Sequence, residues 1–504
     1  VIHDEDDLQR PYDHRLMRRL LGYLRPYRWR VALAAFCAVL ETLLGLAGPA
    51  ITKQAIDHGI RHHDLRFLSE MAQLYLAVLV MMFGLGYLVF RLMQRLGQDI
   101  MRDLRHDLFA HLQRLPIAIY DRTPVGRMMT RVTADVDVLN DLMTAGITAL
   151  FSDVVMVVGI MIVMSNLNVE LLAVTFSVLP LIAVVTLVFR ARIRASFREI
   201  RTRLARLNAF LNENLTGMST VQMLNREARN LTGFRNVNAA HREANLQSVR
   251  QHALFFPLMD LVGAAAISII IWYGGRQVMR AGITLGTLVA FIQYTQRFFH
   301  PISDLSEKYG VLQQAMASSE RIFRLLDTPA DPAAAALTPR NGAAPALAAH
   351  GNGAPRPAFA GRVEFDHVWF AYTAERWVLE DVSFAVAPGE KVAIVGATGA
   401  GKTTLAHLLL RFYTPQRGEI RVDGRRLADW DPAELRRHVG VVLQDVFLFA
   451  GTIAENLRLG DGAVSRDDAE RAAREVAADP FIRRLPGGYD AEVHERGAAL
   501  SAGQ

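Results

Sequence analysis

The chain has 504 residues, 51% hydrophobic and 21% charged, with a mean hydropathy of +0.16, which excludes a disordered chain and is high for a soluble enzyme. A single cysteine, Cys37, excludes an internal disulfide framework and any cysteine-based zinc site. The formal charge of +6 rests on 52 arginines and four lysines (Lys53, Lys308, Lys391 and Lys402), and the arginines cluster beside apolar runs, the distribution of a membrane protein rather than of a nucleic-acid binder.

Six stretches are long enough, at about 20 residues, to cross a bilayer: 31–52, 71–90, 142–169, 171–189, 252–275 and 281–303. A buried helix of a large soluble core accounts for any one of them. Six between residues 31 and 303, separated by charged loops, do not fit that reading. Two spans carry no charge; the others hold Glu41, Asp153, Asp260 and Arg297. Counting 1.5 Å per residue from the span ends puts Asp260 and Arg297 both roughly 9 Å from the inner face of a ~30 Å core. That predicts a pair, with Asp153 at similar depth as the alternative partner for Arg297. Glu41 has no evident partner and is the candidate for touching a cationic substrate.

Arginine placement orients the set. The first 30 residues and the loops 91–141 and 190–251 hold 27 basic residues, against five in the remaining connections. Both termini and the two long loops are therefore expected in the cytoplasm. Within those loops, 92–115 and 193–211 have apolar residues at helical spacing with no proline, so each is expected to extend its span into the cytosol. The first arm breaks between Pro116 and Gly126, the second around Gly217. A solvated arginine-rich hairpin accounts for the charge, but not for apolar tip residues such as Tyr120, Met128, Val221 and Leu224.

From 327 to 360 the composition turns to alanine, proline and glycine, which cannot bury enough surface to fold. This reads as a flexible linker between a membrane domain, 1–326, and a soluble domain, 361–504. In the soluble part, the apolar run 391–395 is expected to form a strand. It leads into Gly396, Ala397, Thr398, Gly399, Ala400, Gly401, Lys402, Thr403 and Thr404, and then a helix over 405–412. Gly396-x4-Gly401-Lys402-Thr403 has the spacing of a phosphate-binding loop. Its glycines let backbone N–H groups point inward, and the helix N-terminus adds partial positive charge. Lys402 is placed to reach the β- and γ-phosphates, and the Thr403 hydroxyl to coordinate Mg²⁺.

Six spans with long arms, followed by such a loop, resemble a half-transporter of the ATP-binding cassette (ABC) exporter family, of multidrug or lipid type. Further stretches match in the family's order. Residues 368–372 resemble the aromatic A-loop, which implies that Tyr372 stacks on adenine. Residues 441–445 resemble the Q-loop, a strand delivering Gln444 toward Mg²⁺ and the attacking water. Residues 446–456 resemble the entry to the helical subdomain, where a coupling-loop tip docks in the family. Residues 492–497 resemble the X-loop, with His494 where glycine is commonest. Residues 500–504 resemble the signature, with Ala502 replacing a usual glycine but Ser501, Gly503 and Gln504 intact.

The resemblance implies a six-span helical membrane domain followed by an α/β nucleotide-binding domain. It implies ATP and Mg²⁺ as cofactors, with Lys402 and Gln444 catalytic and Thr403 and Gln444 on the metal. It further implies a dimer with a second half-transporter, identical or not, in the bacterial plasma (inner) membrane, moving a hydrophobic or amphipathic small molecule or lipid. The family continues past the signature with an Asp-Glu pair and a switch histidine. The chain ends at Gln504, so it reads as C-terminally incomplete and is expected to bind Mg-ATP weakly without hydrolysing it at the family's rate. A nucleotide-gated channel or sensor with a non-pumping cassette is the alternative that this layout leaves open.

Overall fold

The computed structural model describes residues 13–331, 359–373, 376–443, 447–459 and 464–493. The central stretch of the linker, Gln444 with Asp445, and the segment from His494 through Ser501, Ala502, Gly503 and Gln504 lie outside the described residues. The chain divides into two compact units, 1–334 and 335–504.

Among its described residues the first unit is built of helices and short turns, with no strand. A short amphipathic helix α1 (His14–Gly22), N-capped by Asp13, precedes α2 (Arg28–Gln54). A widened π turn then leads to α3 (Leu65–Leu112), which Asp64 caps by accepting from the amides of Arg66 and Phe67. At 48 residues α3 is about 72 Å long, more than twice a ~30 Å bilayer core. The expected arm is therefore one helix with its span. Pro116 then opens the tip helices α4 (Ile117–Arg122), α5 (Val125–Val132) and α6 (Ala134–Asp141). A second π turn precedes α7 (Ile147–Leu167).

The fourth span departs from expectation. Residues 171–189 are not one helix: α8 (Val169–Phe176) ends and α9 (Leu179–Thr216) begins. Pro180 is the reason, because in an unbroken helix its ring would meet the Phe176 carbonyl and its missing N–H would leave that carbonyl unbonded. Gly217 ends α9, as its position suggested. The tip helix α10 (Met218–Met223) leads to α11 (Glu227–Met279), and α12 (Leu285–Leu326) closes the unit. Among the described residues, four helical stretches are long and apolar enough to cross a bilayer: Arg25–Ile60, Leu65–Leu112, Val169–Thr216 and Glu227–Met279. A shorter apolar helix covers Phe151–Leu167.

Two cores larger than the rest hold the described part of this unit. In one, Leu96, Ile100, Leu104 and Leu108, at every fourth residue of α3, pack with Leu20, Val136, Leu139 and Phe323. In the other, Leu46, Ile160, Leu171, Ile270, Phe291 and Tyr294 join five helices. The arms α9 and α11 run along each other, with Phe189 on Phe255 (ring centroids 5.5 Å apart) and Asn230 donating to Asn214. Buried Asp135 on α6 accepts from Ser318 Oγ (3.0 Å) and Arg321 Nε (3.0 Å) on α12. Arg19 chelates Asp327 at 2.7 and 2.8 Å, tying α1 to the end of α12 and holding that carboxyl below the usual carboxylate range.

Far along the chain from these ties, Asp57 follows α2 and is buried at the N-terminus of α12. It accepts from Thr284 Oγ1 (2.6 Å) and the Gly286 amide (2.9 Å), with Lys53 Nζ at 3.4 Å. A Cβ on Gly286 would stand 2.5 Å from the Lys53 carbonyl oxygen and 2.7 Å from Asp57 Oδ1. Gly286→Ala is therefore expected to destabilise the protein by about 1–3 kcal/mol, through overpacking and loss of this cap. Thermal unfolding in detergent would show it, and an unchanged midpoint would mean that the two helix ends separate at no cost.

In the second unit an antiparallel sheet of order β2-β1-β3-β4 comprises β1 (Val363–Phe370), β2 (Leu379–Val386), β3 (Arg417–Val422) and β4 (Arg425–Arg426). Val363 pairs with Val386 on one side and Val422 on the other. Helices α13 (Lys402–Leu409) and α14 (Pro432–His438) supply Leu408 and Leu435 to a core with Phe365, Val368, Phe370 and Ile420. A smaller core around Ile453, Ile482 and Tyr489 joins β5 (Gly451–Thr452), α15 (Ile453–Arg458), α16 (Arg466–Glu475), α17 (Asp479–Ile482) and β6 (Glu492–Val493). Capping boxes at Thr452/Glu455 and Ser465/Asp468 fix where α15 and α16 begin.

Two expected strands are absent among the described residues. Neither 391–395 nor 441–443 is paired, and Val395 and Val442 are 88% and 99% exposed. Apolar pattern alone does not make a strand. The backbone must find a ladder partner, and these two runs have none in the described sheet.

Candidate functional site

The glycine-rich loop runs into α13 without the strand in front of it. Gly401 stands at the helix N-cap with φ +87°, and Gly399 has φ +89°. At Gly401 space matters as much as conformation: a Cβ would lie 2.7 Å from Leu379 Cδ2 and 3.1 Å from the Val378 carbonyl oxygen, so the loop backbone sits directly on β2. No side chain caps the helix, whose first closing bond is Leu405 N–H to Gly401 O at 3.2 Å. The amides of Lys402, Thr403 and Thr404 thus point out of the helix end with no helical acceptor. Donors and a helix dipole directed at one spot suit an anion.

The side chains fit that use. Lys402 Nζ donates to the carbonyls of Gly396 (2.8 Å) and Ala397 (2.9 Å), which folds the ammonium over the loop rather than out into solvent. Thr403 is exposed in the first turn, and its hydroxyl is suited to a hard cation beside a phosphate. Residues 391–400 are exposed throughout, Thr398 and Ala400 included, which leaves the loop accessible to a ligand.

Tyr372 is brought to the same helix. Its hydroxyl donates to buried Thr404 Oγ1 (3.1 Å) and lies 3.3 Å from His407 Nδ1. Its ring stands edge-on to Phe370 and Tyr413. Gln416 fixes the strand end leading to it: Oε1 accepts from the Ala371 amide (3.0 Å) and Nε2 donates to the Ala371 carbonyl (2.7 Å). The sequence reading missed His407 and Gln416. His407 lies three residues after Thr404 on α13, a helical spacing that could have signalled a shared face. Gln416 carries no comparable signal. Gln444, Ser501, Gly503 and Gln504 fall outside the described residues, so of the expected site the loop and Tyr372 are the parts seen together.

In the membrane unit the expected charge pairing is corrected. Asp260 is exposed on α11, and Asp153 on α7 pairs with Lys308, not with Arg297. Arg297 instead donates to the Gly45 carbonyl of α2. Depth along a helix does not say which way a side chain faces.

Residues 31–302 match the ABC transporter transmembrane region, and residues 379–504 match the family described as ABC transporter. Over 502 residues the chain is 34% identical to the ABC transporter ATP-binding protein YknV of Bacillus subtilis, covering 99% of this chain and 81% of that relative. It is 32% identical to a probable multidrug resistance ABC transporter ATP-binding/permease protein, YheH, of the same organism, covering 85% of this chain and 63% of the relative. It is 35% identical to a fatty acid ABC transporter ATP-binding/permease protein of Mycobacterium bovis, covering 87% of this chain and 66% of the relative.

Proposed function

The chain belongs to the ABC transporter family, and from that premise we propose that it exports a hydrophobic or amphipathic molecule as one half of a dimer. The chain is an ATP-hydrolysing, multi-pass membrane transporter that drives export with ATP. Relatives named as transporters and permeases favour export over a nucleotide-gated channel or sensor. Names that include multidrug resistance and fatty acid support an amphipathic substrate.

The observation that carries the site is the uncapped N-terminus of α13 with Lys402 folded over it. The loop amides and Lys402 would hold the phosphates of ATP, whose γ-phosphoryl supplies the bond that is cleaved. Thr403 and Gln444 would hold Mg²⁺, and Tyr372 would meet the adenine. Each nucleotide would lie between the Lys402 loop of one subunit and Ser501, Gly503 and Gln504 of the other. Formation of that sandwich would favour one of two membrane-domain states, which is what coupling requires physically. We assign residues 1–326 to the membrane domain, 327–360 to the linker and 361–504 to the nucleotide-binding domain.

Arginine asymmetry supports a cytoplasmic location for both termini and the nucleotide-binding domain. Asn166 and Asn225 test it, because they flank opposite ends of the α8–α9 rod and both are exposed. The one native cysteine, Cys37, is buried and gives little background. In intact cells a cysteine at 166 is expected to react with an impermeant thiol reagent and one at 225 to be protected; the reverse pattern would overturn the orientation.

A further inference from the structure

We propose that Arg297, seated on a glycine notch inside the membrane domain, binds the acidic head group of an amphiphilic substrate. Arg297 lies twelve residues into α12 from Leu285, about 18 Å along the helix and so within a ~30 Å apolar core. Its Nη1 donates to the Gly45 carbonyl. Where a Cβ would stand on Gly48, Nη2 is 3.4 Å away and Tyr75 Cε2 also 3.4 Å. At Gly45 the corresponding neighbours are Met82 Cε (3.5 Å), Met156 Cε (3.7 Å) and Nη1 (3.9 Å). Two missing side chains on one face of α2 thus admit a guanidinium between two flexible methionines and a tyrosine.

The guanidinium is under-used there. It has five N–H donors, and its one hydrogen bond to a described residue is to a neutral carbonyl. The two carboxylates expected to pair with it, Asp153 and Asp260, are engaged or exposed elsewhere among the described residues. Asp153 is held by Lys308, Asp260 is exposed on α11, and Glu41 lies against Gly86, 2.9 Å from where a Cβ would stand. A cation in low dielectric without a counter-charge is costly, and an arriving carboxylate or phosphate relieves that cost with bidentate hydrogen bonds. Methionines adapt to varied apolar shapes, so the notch suits a charged head carrying a long tail. The inference deepens the export reading: the site names the substrate as an amphiphilic anion, opposite in charge to the cationic substrate expected from Glu41.

The test is equilibrium binding of labelled oleate to the purified protein in detergent, competed by oleyl alcohol, oleylamine, oleyl phosphate and acetate. Oleate and oleyl phosphate are expected to bind roughly 10- to 100-fold more tightly than the alcohol or amine, the worth of a hydrogen bond to a charged group. Arg297→Gln keeps a donor for the Gly45 carbonyl and should erase that preference. Arg297→Lys should retain part of it, and Gly48→Leu, which fills the notch with the charge intact, should weaken oleate binding. ATP binding at Lys402 should be unchanged in all three. Equal oleate affinity in the unaltered protein and Arg297→Gln would overturn the proposal. So would an amine competing as well as oleate, or acetate displacing oleate at comparable concentration, the mark of a simple anion site. A purely structural Arg297 would shift thermal unfolding without changing the order of ligands, and that result also overturns it. Preference for oleate without ATP-driven accumulation in vesicles would instead defeat the export reading and leave the binding site standing.

Discussion

Lys402→Ala is expected to lower ATP turnover by at least ~10²-fold and to abolish export with it, because a single preorganised donor to developing charge is commonly worth that much. The lysine is already positioned: its ammonium is 2.8–2.9 Å from the carbonyls of Gly396 and Ala397, so little reorganisation is needed to bring it to a phosphate oxygen beside them. Arginine should not rescue it. A planar guanidinium on a longer side chain does not replace a compact ammonium in a loop curled this tightly. The measurement is phosphate release and nucleotide binding by the assembled transporter in lipid, with oleate or another amphiphile present. Turnover within a factor of a few of the unaltered protein would mean that the phosphates are held elsewhere.

The glycine-rich loop was legible because its shape is a local backbone property. Positive φ at Gly399 and Gly401 and the crowding at Gly401 demand glycine wherever this loop is built. The spans and arms were legible for a similar reason: a helix closes its own hydrogen bonds, so apolar composition and length suffice. The break in the fourth span is also written in the sequence, at Pro180, which hydropathy does not register but backbone chemistry does. The runs 391–395 and 441–443 failed for the opposite reason. A strand is a relation between segments, and no apolar run announces which partner it has. The aromatic and histidine surroundings of Tyr372 and the clamp of Gln416 on Ala371 likewise come from segments brought together only by the fold.

The misread charge pair shows where depth counting stops. Successive helical residues rotate about 100°, so two groups at one depth can face opposite ways, and a partner can sit outside the nominal span. Lys308 is five residues past the expected end of the sixth span, yet its long side chain reaches Asp153 across from α7. Their side chains are 18% and 26% exposed. Removing either partner alone, as Asp153→Ala or Lys308→Ala, leaves a shielded charge without its mate. Each is expected to destabilise the membrane domain by about 1–3 kcal/mol, less than the ~3–5 kcal/mol of a fully buried pair because water still reaches part of both groups. The double alanine variant should lose less than the sum of the singles, and exchange of the two residues, Asp153→Lys with Lys308→Asp, should regain most of the stability. Thermal unfolding in lipid, compared across the four variants and the unaltered protein, reads this directly. Additive losses in the double variant, or an exchanged pair no better than either single, would mean that the contact between α7 and α12 contributes nothing of its own. Arg297→Ala should not couple to Asp153→Ala in the same cycle, since its hydrogen bond goes to the Gly45 carbonyl on α2.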